Sequence, residues 1–164
     1  MYKLPINFDI NEWFVVITLT CLIIIFIIVP NTMPKGLTLT IFLYFAVLGL
    51  TADVLIGVDY PFDFYDIMDS PKLELFDVII YSVNYSLYGY FFSYFLFKQK
   101  NLGRILLFII FWAGISTIIE WVSVRFNVFT YMNGWNTGFS AIVYLFVFTT
   151  SAIVVKWLNH CWEE

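Results

Sequence analysis

The chain has 164 residues, of which 62% are hydrophobic, 22% aromatic and only 12% charged, with mean hydropathy +0.87; soluble domains carry about 25% charged residues, so that class is excluded. The net charge of -4 comes without a basic cluster, which excludes nucleic acid as a partner. At roughly 20 residues per membrane span, the expectation is an all-α, polytopic membrane helical bundle of about five transmembrane helices, a single domain over residues 1–164 with the lipid bilayer as its first partner.

The polar, acidic stretch 1–12 precedes the most uniformly apolar run, 13–29, which ends at Pro30. A cleaved signal peptide would want a basic start and a small-residue cleavage site. Here Asp9 and Glu12 come first and no such site follows, so the run reads as a retained span. The second span, 37–56, carries Ala46, Gly49 and Asp53 at intervals of three and four, a small face that lets a neighbouring helix approach. That face is expected to point into the bundle. Residues 57–74 then form the longest connection, an acidic loop with Asp59, Asp63, Asp66, Asp69 and Glu74 interleaved with aromatics. Aromatics of this kind settle at headgroup depth, and the spacing of the acids does not match a calcium loop.

The third span, 75–97, is crowded with hydroxyls. Asp77, Tyr81, Asn84 and Tyr88 step by four, three and four, which places them in one sector of an ideal helix, a polar stripe facing protein or water. Interhelical hydrogen bonding is the bland reading of that stripe. The link 98–104 carries Lys98, Lys100 and Arg104 and no acid. The fourth span, 105–124, has Ala113, Ser116, Thr117 and Glu120 at helical spacing, closed by Arg125. A segment too short and polar to span follows, with a turn-forming Asn133-Gly134 pair, and reads as an interfacial loop or short re-entrant element. The fifth span covers 139–155.

Lysine and arginine gather on the cytoplasmic side of membrane proteins. Placing the 98–104 link inside puts five basic residues inside and three outside, an N-out, C-in orientation and a multi-pass protein of the cell membrane. Asp53, Asp77 and Glu120 then lie within roughly 3–8 Å of the outer surface at 1.5 Å per residue, with Arg125 at the same level. Arg125 is poorly placed to pair with Glu120 on its own helix, so Asp53 or Asp77 is its expected partner. An ionisable group in a span is costly unless paired or functional. The candidate ligand-binding set is therefore Asp53, Asp77, Tyr81, Asn84, Tyr88, Glu120, Arg125 and Trp135.

Two uses fit such a set. The acids can hold a proton or bind a small polar or cationic solute, as in a transporter, channel subunit or sensor; or they can be structural, fixing helix order in an assembly protein without ligand. Acid–base chemistry on a lipid or isoprenoid group is a further alternative. No catalytic residue is assigned, and whether the protein is an enzyme is left open. The only histidine, His160, lies in the tail, far from the acids, and Lys156 sits at a span edge, so rhomboid-like proteolysis and retinal binding are not expected. Cys21 and Cys161 belong at different depths, and Cys161 beside His160 lacks further ligands; no disulfide, metal or cofactor is expected. Five helices are few for a transport cycle, which points to a homo-oligomer or a partner membrane subunit.

Glu120 followed by FTYMNGWN at Phe129 to Asn136 resembles an uncharacterised family of small five-span membrane proteins of endospore-forming bacteria, as do the chain's length and span plan. The resemblance implies a bacterial cell or spore membrane and carries no catalytic residue to this chain.

Overall fold

The computed structural model describes residues 8–30, 32–57, 62–68 and 75–163. Helix α1 (Ile10–Ile28) starts at Asp9, whose backbone N–H donates to Glu12 Oε2 at 2.7 Å, satisfying one of the N–H groups that a helix start leaves open. Helix α2 (Lys35–Ala52) continues through a π-helical turn (Asp53–Gly57). Helix α3 spans 75–97 and contains a second π turn, Ile80–Asn84. Helix α4 (Leu102–Arg125) is capped by Asn101, whose Oδ1 accepts from Arg104 N at 2.8 Å. Helix α5 (Thr137–Glu163) runs well past the expected end of the fifth span, because the polar tail continues the helix.

The helices alternate in direction. At one end Phe8 meets Phe76 with ring centroids 5.8 Å apart, and the α2–α3 and α4–α5 connections pair as a two-stranded antiparallel sheet, β1 (Tyr65–Ile67) with β2 (Phe129–Tyr131). The two connections, expected as an interfacial loop and as an interfacial loop or short re-entrant element, thus each contribute a three-residue strand that the sequence did not predict. The sheet has register Tyr65↔Tyr131 and Ile67↔Phe129, and it turns these side chains towards the bundle while Thr130 is exposed. Its margin is closed by Asn133, at φ 49°, whose Nδ2 donates to the Asp63 carbonyl at 2.7 Å. At the opposite end Trp162 lies against Gly36, and Lys98 sits 4.1 Å above the Tyr94 ring.

Four helices, α1, α2 with its π turn, α4 and α5, are long and apolar enough to cross a membrane. Each presents large apolar side chains outward, such as Ile27, Leu43, Leu107 and Phe146, the surface that a bilayer covers and water would not. The chain is an integral membrane protein. The third helix is different: from Tyr85 onward it is enclosed by the others, with Ser86, Gly89, Tyr90, Phe92 and Ser93 all buried. Its hydroxyls are therefore spent on protein. Ser86 Oγ donates to the Phe42 carbonyl at 2.9 Å, and Ser93 Oγ donates to the Gly89 carbonyl at 2.8 Å.

Glycines set the α2–α3 distance from both sides. A Cβ on Gly49 would lie 2.2 Å from the Tyr85 ring, and one on Gly89 would lie 2.0 Å from the Phe45 ring; neither contact is possible with a larger residue, so these are the small positions through which membrane helices pack closely. The small face expected on the second span does point inward at Gly49. Below this crossing the core is a continuous aromatic cluster in which Phe92 touches Phe45, Phe108, Trp112 and Phe148 at centroid distances of 4.9–6.1 Å.

Candidate functional site: an acid-headed cavity under the sheet

Above the aromatic core the helices part and enclose a cavity of about 530 Å³, roofed by the β1–β2 sheet. Its wall is mostly apolar, with Phe45 and Leu48 from α2, Ile80 from α3 and Val143 and Val147 from α5. Among the described residues, one carboxylate projects into it. Glu120 is 9% exposed, and its side chain is held by three hydroxyls from two other elements. Tyr131 on β2 donates to Oε1 at 2.5 Å, Ser140 on α5 donates to the same oxygen, and Tyr144 on α5 donates to Oε2 at 2.5 Å. The chain folds this way locally because Ser140 and Tyr144 lie one helical turn apart on the same face of α5, which packs directly against α4.

The surrounding polar groups fix these donors. Trp135 Nε1 donates to Ser140 Oγ at 3.0 Å, and the Trp135 ring is stacked between Phe64, at 4.9 Å, and Phe139, at 5.7 Å. Across the cavity, Tyr88 and Ser116 share a hydrogen bond of 2.9 Å, and Asn84 Nδ2 reaches Thr18 Oγ1 at 3.5 Å. Burial, and then the hydrogen bond to Glu120, push the Tyr131 phenol above its ordinary pKa; its proton stays in place as a donor across the neutral range.

Of the residues expected to form a site, the structure brings Asn84, Tyr88, Glu120 and Trp135 to this cavity. It does not bring Asp77, Tyr81 or Arg125. Asp77 and Tyr81 are buried in the layer beneath the sheet, beside Phe76 and Ile80, and neither lines the cavity. The cause is the π turn at Ile80–Asn84: the i→i+5 pattern takes in one extra residue, about 100° of rotation at 3.6 residues per turn, so the stripe splits into two pairs on different faces. Arg125 is exposed, and its guanidinium stacks 3.9 Å above the Trp121 ring one turn back; of its two expected partners, Asp53 has its side chain outside the described residues, and with it lies the expected meeting of three acids. Among the described residues no three of His, Cys, Asp and Glu gather as a metal would need.

Tyr131, Ser140 and Tyr144 are the site residues that sequence reasoning missed. The sequence offers only the Ser140/Tyr144 spacing of four, which places both on one face of α5 without saying what that face meets. Comparisons with family models, curated proteins and solved structures found no match to this chain, so its function rests on this geometry.

Proposed function

We propose that the protein binds a small polar or cationic group, or a proton, at Glu120, and that it serves the membrane as a transporter, channel subunit or sensor. One observation carries this reading. The carboxylate lies inside a cavity large enough for a small molecule, and among the described residues lining that cavity there is no lysine, arginine or histidine. A carboxylate offers about four acceptor positions, and among the described residues three hydroxyls fill three of them. The fourth, on Oε2, suits a donor from a ligand, and a cation there would offset the cost of an acid in a membrane interior. The resemblance to small membrane proteins of endospore formers adds a bacterial cell membrane to the proposal, with the sheet end outside and the Lys98–Arg104 end inside. With so few helices, a homo-oligomer or partner subunit would complete a transport cycle.

The test is the unfolding midpoint of the detergent-purified protein with a panel of amines and metal cations, wild type beside Glu120→Gln. A saturable rise in the wild type that needs at least tenfold more ligand in the variant supports the reading. Unchanged midpoints in both, across the whole panel, would sink it in favour of structural glue. The second reading, an intramembrane enzyme acting on a lipid or isoprenoid group, is favoured by the apolar wall around the hydrogen-bonded Glu120–Tyr144 pair; it requires turnover that Glu120→Gln abolishes without loss of fold.

A further inference from the structure

The cavity is closed above and open at the side. The sheet and the buried cluster beneath it, Val15, Ile67, Met68, Phe76 and Val128, cover its upper end, while the aromatic core closes it below. Helix α1 meets the start of the β2 connection through the stacked rings of Phe14 and Phe126, 4.9 Å apart. Deeper than that stack, residues of α1 and α4 line the cavity and at the same time face outward from the bundle. Ile17 is 57% exposed, Ile118 62% and Ile119 42%, Cys21 is exposed as well, and all four line the cavity. Side chains that are both cavity wall and outer surface mark a mouth. This mouth lies between two helices that cross the membrane, on the surface that lipid covers.

Resting on the reading that Glu120 receives a cationic group, we infer that the ligand is a single-chain amphiphile with a protonated amine head, and that it enters sideways from the bilayer between α1 and α4. The head meets the carboxylate, and the chain fills the apolar wall and extends through the mouth. A small hydrophilic cation gains nothing from that wall, and its route from water is roofed by the sheet. An alkyl chain leaves water for apolar surroundings and so concentrates its amine head in the bilayer at the mouth; from lipid into the cavity it moves between equivalent surroundings, so the amine supplies selectivity and the wall supplies access. Tyr131, Ser140 and Tyr144 act as positioning residues, holding the carboxylate with one acceptor position turned to the ligand.

The experiment uses the full-length protein in phosphatidylcholine nanodiscs, with unfolding midpoint against concentration of dodecylamine, dodecanol and butylamine for wild type, Glu120→Gln and Ile118→Trp. Dodecylamine is expected to bind the wild type at least tenfold more tightly than either other probe. Glu120→Gln should remove most of that advantage. Ile118→Trp, a lip residue outside the packed core, should keep the ligand-free midpoint and weaken dodecylamine by about tenfold, so the route is tested even if Glu120→Gln fails to fold. Butylamine binding as tightly as dodecylamine, with both lost in Glu120→Gln, overturns the amphiphile and leaves the cation site standing. Dodecanol matching dodecylamine, with no effect of Glu120→Gln, overturns the amine head and the cation site together, as does the absence of any shift with all three probes.

Discussion

The two halves of this bundle draw on the same residue types and use them in opposite ways. In the half nearer the Lys98–Arg104 end, aromatic rings interlock around Phe92, Gly89 lets α3 close onto Phe45 of α2, and hydroxyls bond within the packing, Ser93 to the Gly89 carbonyl of its own helix and Tyr44 to Ser151 across α2 and α5. In the half beneath the sheet the helices stand apart, a cavity replaces the ring cluster, and hydroxyls from β2 and α5 reach across to one carboxylate. Tyrosine marks the boundary: Tyr90 is wholly buried among rings, whereas Tyr88, half a turn away, turns its hydroxyl to Ser116 at the cavity wall. Ring packing is concentrated in one half and the cavity with its polar head in the other, the division that the proposed binding site would need, since such a site has to be carried by a rigid support.

Changing the packed half should show the largest effect. Phe92→Ala leaves a void among four rings and should cost about 3–5 kcal/mol of stability, read as a large fall in unfolding midpoint or as loss of folded protein in detergent. An enlarged side chain in the hollow half should do the reverse of what it does in a packed core, where overfilling costs about 1–3 kcal/mol. Val143→Phe should leave the midpoint within about 1 kcal/mol of wild type while removing any ligand-induced rise; a strongly destabilised variant would mean that the cavity is not open space. The smallest effect concerns pH. The Tyr131 phenol has a raised pKa in the folded protein, so its stabilising contribution is complete below the unfolded tyrosine value of about 10 and is lost as pH rises above it. Tyr131→Phe should flatten part of the alkaline fall in midpoint above about pH 10, and an unaltered alkaline slope would contradict the hydrogen bond to Glu120.

The sequence carried the packed half more clearly than the hollow one. Long apolar runs mark α1, α2, α4 and α5, and Gly49 lies on a recognisably small face. Glu120 was also legible, as an acid in an apolar helix. Its partners were not, because a hydroxyl in a helix commonly bonds the carbonyl one turn back, as Thr117, Ser123 and Thr149 do here, and spacing alone does not distinguish Ser140 and Tyr144, which bond across helices. The two strands have three residues each, too few for alternation to register. The π turn at Ile80–Asn84 leaves no compositional mark, and it is what separates Asp77 and Tyr81 from Asn84 and Tyr88.

The sheet also dictates an order of events during synthesis. Strand β1 emerges before α3, but its partner β2 follows α4, so the roof cannot be completed until the fourth helix has been threaded into the bilayer. Contacts between such distant parts of a chain form late because their loop-closure entropy is spent before they stabilise anything. Tyr131 arrives with β2, so Glu120 must wait in the nascent protein for its last two elements, the closing strand and α5, before all three hydroxyls can reach it. Until then the half-made protein holds an acid in an apolar helix without its three hydroxyl donors.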